Sequence, residues 1–163
     1  MLLKPKFRFY RVTEITPAFL QQNGIKGLLL DVDNTLSTDN GQELLTGLRE
    51  WIAEMQDNGI RLTVISNAAK KRLIPFAGKI GMQFVHRAAK PLFWGYLMGA
   101  HRLGLKKKET AMVGDQLFTD ILGANLIGMP SILVEPILLE TGKSFVIRRR
   151  LEKKILKKER GQI

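Results

Sequence analysis

The chain of 163 residues is 45% hydrophobic and 25% charged, contains no cysteine and has a net charge of +11. This composition fits one globular domain over residues 1–163 with a buried core, and it excludes disulfides and thiolate metal sites. The longest hydrophobic stretch, at 127–139, is interrupted by Pro130, Glu135 and Pro136 and is too short to span a bilayer. We therefore expect a soluble protein, and the lack of cysteine favours the reducing cytoplasm.

The excess positive charge lies at the two ends of the chain. Residues 1–12 contain four basic and no acidic side chains, and residues 143–163 contain nine basic and two acidic ones. The first segment also contains aromatic residues, and the last is predicted to form an amphipathic helix with Ile147, Leu151 and Ile155 on one side. Basic segments of this kind favour peripheral contact with anionic membranes or contact with nucleic acid. For the C-terminal segment, the alternative is a helix end that is simply solvated.

Between these ends, strands and helices are predicted to alternate. Short apolar runs predict five strands, at residues 25–32, 60–65, 83–85, 110–113 and 131–134. The segments between them repeat apolar residues every three to four positions, starting at Leu44 for the first helix, and Pro91 suits the first turn of the third helix. The alternation predicts a three-layer, Rossmann-like α/β fold, in which a mainly parallel five-stranded sheet carries helices on both faces.

Most of the polar residues that stand out lie where a predicted strand ends. In sheets of this kind, ligands bind outside the carboxyl ends of the strands, so residues distant in sequence should meet in one crevice. The candidates are Asp31, Asp33, Ser66, Asn67, Asp115 and, at a helix start after the third strand, Lys90.

The predicted crevice combines carboxylates with cationic and hydroxyl groups. Asp31 and Asp33 project to the same side of an extended chain, and a third carboxylate from Asp115 requires a hard cation, for which Mg²⁺ is the natural candidate. Lys90 and Ser66 would hold an anion beside that cation. A cation next to an anion site favours phosphoryl transfer. Asp31 would attack phosphorus, and Asp33 would protonate the leaving oxygen and later activate water.

Four segments resemble the motifs of the haloacid dehalogenase (HAD) superfamily, in the same order. They are DVDNTL at 31–36, VISN at 64–67, AAKP at 88–91 and GDQLFTD at 114–120. Each is a weak signal alone, but four in order at strand ends are specific. The resemblance implies a HAD fold in which Asp31 is the nucleophile and a metal ligand, while Asp33 is the acid/base and its backbone carbonyl also binds Mg²⁺.

The same resemblance assigns roles in the first and fourth motifs. It implies that Thr35 supports the turn of the first motif and that Asp115 ligates the metal. Asn34 replaces the glycine that is usual there, a mild departure because asparagine tolerates left-handed backbone angles. Asp120 would act behind the metal ligands, although a carboxylate in the first turn of a helix also simply favours the helix dipole.

The second and third motifs are assigned to the phosphoryl group. The resemblance implies that Ser66 and Lys90 bind it, with Asn67 beside them. For Asn67 the alternative is a plain turn former.

The spacing between the motifs predicts an open site. HAD enzymes for small metabolites often insert a cap domain, but only about ten residues separate Asp31 from the next helix, and residues 68–89 hold one helix and one strand. An open site permits large substrates. The chain is most similar to the YqeG group of capless, subclass III HAD phosphatases, which is related to phosphatidylglycerophosphate phosphatases. That resemblance implies a phosphatase acting on a phospholipid monoester at the membrane surface.

Other functions stay open on the sequence alone. Small capless HAD enzymes include phosphatases for soluble sugar phosphates and for nucleic acid 3′ ends, and a stable homo-oligomer would favour the first of these. A receiver-like switch also places aspartates and a lysine at strand ends, but Asp33 would have no purpose there because an adjacent acid/base hastens loss of the acyl phosphate. A module that binds RNA or membranes through its basic ends is the non-enzymatic alternative.

Overall fold

Six strands form one parallel sheet in the computed structural model, which describes residues 1–38, 43–138 and 143–160. The strands are β1 Phe7–Phe9, β2 Gly27–Leu30, β3 Arg61–Ile65, β4 Phe84–Val85, β5 Thr110–Gly114 and β6 Ser131–Val134. Their spatial order is β1-β6-β5-β2-β3-β4, and all neighbouring pairs are parallel. The predicted Rossmann-like α/β architecture is confirmed, with one strand more than expected.

Helices connect the strands and lie on both faces of the sheet. They are α1 Pro17–Gln22, α2 Leu48–Asp57, α3 Lys70–Ile80, α4 Phe93–Arg102, α5 Leu122–Leu126 and α6 Lys143–Arg160. A π-helical turn, Leu117–Ile121, leads into α5. Because each crossover between parallel strands leaves from the carboxyl edge of the sheet and returns to the amino edge, α3, α4 and α5 all begin at the carboxyl edge.

The core is divided into two parts by the sheet. Leu28 and Leu30 of β2 belong to one apolar cluster, which α2 and α3 cover, whereas Leu29 packs in a second cluster with Tyr96 of α4. This follows from the alternation of side chains across a strand. A strand buried on both faces is apolar at successive positions, which is why β2 forms a continuous oily run directly before Asp31.

The additional strand, β1, comes from the basic N-terminal segment and pairs with β6 at the edge of the sheet. Phe7 and Phe9 lie edge-on to Phe19 of α1, with ring centroids 4.9 and 5.0 Å apart. A strand of three residues is too short for the alternation of its side chains to be recognised in the sequence. The aromatic residues at these positions therefore pack within the fold.

Two predicted helix starts are wrong. The helix expected to begin at Pro91 begins at Phe93, because Leu92 has extended backbone angles that prevent the helix from reaching back to the proline. The helix expected to include Leu44 begins at Leu48, since Leu44 instead forms an isolated β-bridge with Ser37.

The basic C-terminal segment forms α6, as expected. Its predicted apolar side is divided, because Ile147 and Leu151 are exposed whereas Ile155 packs with Leu156 against a small cluster around Leu117. Within 1–38, 43–138 and 143–160, no helix combines the length and the hydropathy needed to cross a membrane.

Candidate active site

Three adjacent strands at the centre of the sheet deliver the predicted site residues to one edge. Asp31 follows β2, Ser66 follows β3 and Asp115 follows β5, and β2 lies between the other two. In this register Leu30 is paired with both Val64 and Val113. The expectation that these distant segments meet at the carboxyl edge is confirmed.

Lys90 joins two of the carboxylates at the bottom of the crevice. Its ammonium donates hydrogen bonds of 2.6 Å to Asp31 Oδ1 and to Asp120 Oδ1, and all three side chains are buried. Burial by itself lowers the pKa of Lys90, but the Asp120 and Asp31 carboxylates outweigh it and raise that pKa above its usual value. Lys90 is therefore a permanently charged group within the site.

A third carboxylate completes a compact acidic group. One oxygen from each of Asp31, Asp115 and Asp120 lies within 4.8 Å of the others. Burial and the neighbouring Asp120 carboxylate raise the pKa of Asp31 to about 6, against the opposing effect of Lys90. Burial, followed by the charge of Asp31, likewise raises the pKa of Asp115. Asp31 and Asp115 therefore bind protons more readily than isolated aspartates do, as expected of carboxylates that are buried close together.

These residues fit a divalent cation. Asp115 Oδ1 is buried and has no hydrogen-bond partner among the described residues. Leaving a buried carboxylate oxygen without a partner is costly, and such an oxygen is the kind of ligand that Mg²⁺ takes. Asp31 and Asp115, two of the three predicted metal ligands, belong to this group. Binding of the ion by them and by the Asp33 backbone carbonyl stays a prediction.

Asp33 lies at the rim of this group. Its Oδ1 accepts a 2.6 Å bond from the Arg72 guanidinium, at the beginning of α3, and the Asp33 side chain is 26% exposed. It therefore keeps access to solvent that the buried Asp31 lacks. This difference suits a group that exchanges protons with water.

Asn34 and Thr35 lie in the turn after β2. Asn34 has a positive φ of 60°, the conformation that its place in the motif implies, and its Oδ1 accepts a bond of 3.1 Å from the Leu138 backbone N–H. Thr35 is buried within the turn, and its backbone N–H bonds to the Val32 carbonyl. The role of Thr35 as a support for the motif stays a prediction.

The second motif fixes the loop that carries Lys90. The Asn67 side chain accepts a 2.7 Å bond from the Lys90 backbone N–H and donates a 3.1 Å bond to the Lys90 carbonyl. Both ends of the amide are therefore used to position Lys90. The Ser66 hydroxyl is buried and accepts a bond from the Ala68 N–H, so its hydrogen remains available to an acceptor. Binding of the phosphoryl group by Ser66 and Asn67 stays a prediction.

Asp120 makes more hydrogen bonds than a carboxylate that only stabilises the helix dipole would need. Besides its bond to Lys90, its Oδ2 accepts a bond from the Gln116 N–H, and the side chain is fully buried. Gly114 makes this approach possible, because a methyl group there would overlap the Asp120 carboxylate. Close packing against Asp120 therefore explains why the GDQLFTD segment begins with a glycine.

The C-terminal helix supplies two site residues that sequence reasoning missed. The Arg149 guanidinium forms an ion pair with Asp115 Oδ2 and donates a 2.6 Å bond to the Asp115 carbonyl. Glu152, which is buried, accepts bonds from Arg149 and from the Leu117 N–H. α6 is therefore attached to the residues that directly follow β5. The charge run around Arg149 was visible in the sequence, but no motif singled out one of its arginines.

Replacing Arg149 by alanine is expected to lower the free energy of unfolding of the metal-free protein by about 3 kcal/mol. The change leaves the Asp115 carboxylate buried without its cation. Urea unfolding in the presence of EDTA measures the effect, with Lys153→Ala on an exposed position of the same helix as the matched control. If both variants unfold like the parent protein, the ion pair does not hold α6 in place.

Comparisons with known proteins give the family. Residues 77–136 match the HAD-hydrolase-like family, and residues 1–75 match the mitochondrial PGP phosphatase family. Over 154 residues the chain is 34% identical to "Probable phosphatase YqeG" of Bacillus subtilis (strain 168), which covers 93% of this chain and 90% of that protein. The chain belongs to the YqeG family of HAD-like phosphatases. It is therefore a phosphatase, and the predicted family and enzyme class are confirmed.

A plant protein and a solved structure are also similar to this chain. The chain is 32% identical over 151 residues to "Phosphatidylglycerophosphate phosphatase 1, chloroplastic/mitochondrial" of Arabidopsis thaliana, covering 85% of this chain and 43% of that protein. The fold is similar to that of a 4-nitrophenylphosphatase from Thermotoga maritima, with a TM-score of 0.60, 14% identity and coverage of 75% of this chain and 89% of that one. The structural likeness confirms the fold of the YqeG-family chain.

Proposed function

We propose that this phosphatase hydrolyses the phosphate monoester of an anionic phospholipid, phosphatidylglycerophosphate, at a membrane surface, with Mg²⁺ and an aspartyl-phosphate intermediate. The observation that carries the reaction type is the buried contact of Asp31 with Lys90. Beside it lies Asp115, whose Oδ1 has no hydrogen-bond partner among the described residues. It brings a nucleophile, a fixed cation for the phosphoryl group and a metal ligand within one crevice.

In the first half of the proposed reaction, an Asp31 carboxylate oxygen attacks phosphorus. The bond from phosphorus to the ester oxygen breaks, and Asp33 donates a proton to the departing alcohol. Lys90, which touches Asp31, stabilises the charge of the phosphoryl oxygens, and the Ser66 hydroxyl donates to one of them. Asp31, Asp115 and the Asp33 carbonyl would hold Mg²⁺, which would supply positive charge against the repulsion between the enzyme carboxylates and the substrate.

In the second half, water replaces the enzyme carboxylate. Asp33, now ionised, takes a proton from a water molecule, whose oxygen attacks phosphorus and releases inorganic phosphate and the Asp31 carboxylate. The Arg72 guanidinium, 2.6 Å from Asp33 Oδ1, lies beside this carboxylate at the rim of the site. Buried groups hold the phosphoryl oxygens throughout, while the partly exposed Asp33 donates and accepts the protons.

Two observations support a phospholipid substrate. The chain is similar along most of its length to a phosphatidylglycerophosphate phosphatase, and its N-terminal half matches the corresponding family. Furthermore, the segment between β3 and β4, a place where HAD enzymes often insert a cap domain, contains only α3. A headgroup that projects from a bilayer needs such open access, because its lipid anchor cannot enter an enclosed cavity.

Vesicles that contain phosphatidylglycerophosphate are expected to release inorganic phosphate with the enzyme and Mg²⁺, and none with EDTA. The specificity constant for the lipid should exceed that for a soluble sugar phosphate by at least about a hundredfold, since binding of the glycerol phosphodiester adds to transition-state stabilisation. Phosphate release measured over a panel of monoesters checks this. Efficient turnover of a soluble monoester with no release from the lipid would overturn the substrate assignment but leave the reaction type in place.

A further inference from the structure

Exposed apolar side chains gather at the beginning of α4. Leu92, Phe93 and Trp94 are 62%, 62% and 52% exposed, and Leu97, one turn along the helix, is 41% exposed. We call these four residues the Trp94 patch. Single exposed apolar residues are ordinary, but a contiguous set with two aromatic rings marks an interaction surface.

The patch lies at the entrance of the active site. Leu92 is two residues after Lys90, whose ammonium bonds to Asp31, and α4 begins at the carboxyl edge of the sheet. The inner side of the same helix is buried, with Tyr96 and Ala100 packed against β2 and β3. The outer side at this end of α4 is thus held rigidly beside the crevice.

Basic side chains accompany the patch at the same edge. Lys70 and Lys71 begin α3, and Arg87 follows β4 on the loop that leads to Lys90; all three are exposed. A rigid apolar surface with aromatic rings and neighbouring cations complements a bilayer of anionic lipids, into whose interfacial region tryptophan partitions favourably.

We infer that the Trp94 patch is the membrane-docking surface of this phosphatase, and that it inserts into an anionic bilayer so that the active site opens toward the headgroups. The inference rests on the proposed lipid substrate and adds the surface that presents it. It assigns membrane contact to α4 rather than to α6, whose Arg149 and Glu152 are engaged at the active site.

The two tryptophans of the chain provide a native probe. Trp94 is half-exposed, whereas Trp51 is buried and donates a 2.8 Å hydrogen bond to the Ile15 carbonyl. Adding vesicles of equal parts phosphatidylglycerol and phosphatidylcholine is therefore expected to shift the tryptophan emission to shorter wavelength through Trp94. Pure phosphatidylcholine should shift it less, and added salt should weaken the response.

A matched pair of leucine variants tests the location of the contact. Leu97→Glu should weaken vesicle binding by about tenfold or more, because burial of the leucine in the bilayer is lost. Leu126→Glu is the control: Leu126 is 55% exposed but ends α5 at the opposite, amino edge of the sheet. Its vesicle affinity should equal that of the parent protein. Both variants retain Trp94, so the same fluorescence titration serves all three proteins.

The vesicles in this titration contain no phosphate monoester, so the result is independent of catalysis. An unchanged Trp94 emission with anionic vesicles, or equal losses in Leu97→Glu and Leu126→Glu, would overturn the docking surface. A shift that depends on protein concentration without vesicles, together with a dimer that Leu97→Glu dissociates, would assign the patch to self-association and also overturn it. Vesicle binding through the patch without hydrolysis of short-chain, soluble phosphatidylglycerophosphate would instead refute the proposed function.

Discussion

Asp31→Asn is expected to lower the kcat for any phosphate monoester by at least about ten-thousandfold. The amide has nearly the shape of the carboxylate, but it cannot attack phosphorus and is a poorer ligand for Mg²⁺. Asp31 is also buried against Lys90, which fixes the position of its carboxylate. The loss should therefore appear in kcat with any substrate, whatever alcohol leaves.

Phosphate release at saturating substrate and Mg²⁺ measures this effect. Asp57→Asn, at the exposed end of α2, makes the same chemical change away from the site and should keep full activity. Circular dichroism spectra of both variants check that they fold like the parent protein. Residual activity in Asp31→Asn above a few per cent of the parent value would remove Asp31 from the role of nucleophile.

Lys90→Met is expected to lower the free energy of unfolding by roughly 3–5 kcal/mol as well as to abolish activity. Methionine fills a similar volume without charge, so Asp31 and Asp120 lose the cation that both touch at 2.6 Å. Two carboxylates would then remain buried close to Asp115 with no ammonium among them. Most of the cost comes from this uncompensated charge.

An exposed lysine provides the comparison. Lys26 forms an ion pair with Glu109 at 2.7 Å, but its side chain is 63% exposed, so Lys26→Met should change stability far less. Adding Asp120→Asn to Lys90→Met should restore part of the lost stability because one buried charge is removed. Urea unfolding of the four proteins in EDTA checks both points. If Lys90→Met is as stable as Lys26→Met, Lys90 does not neutralise the acidic group.

The proximity of the candidate site residues could be predicted from the sequence because several of them directly follow buried strands. A central parallel strand is apolar throughout, so the change from Leu30 to Asp31 marks where the strand ends, and the same holds before Ser66 and Asp115. Since carboxyl ends of parallel strands share one edge, proximity followed from the fold class. The order of the four motifs then gave the family, which the comparisons confirm.

The contacts that depend on packing between distant segments could not be predicted in this way. Arg149 lies in a run of basic residues, and only the docking of α6 decides which of them reaches Asp115. Likewise, nothing in the sequence shows that both ends of the Asn67 amide bond to the Lys90 backbone. β1 escaped prediction for a different reason, because three residues are too few to establish a period.

In the proposed mechanism, Asp31 and Asp115, which follow two different strands, share one Mg²⁺, and Asp31 is phosphorylated. A crystal structure with MgCl₂ and beryllium fluoride, a mimic of the phosphoryl group, tests this most directly. We predict one Mg²⁺ about 2.1 Å from carboxylate oxygens of Asp31 and Asp115 and from the Asp33 carbonyl. The beryllium should be bonded to the other Asp31 oxygen, within reach of Lys90. Binding of Mg²⁺ away from Asp115, or of beryllium fluoride to a residue other than Asp31, would contradict the account.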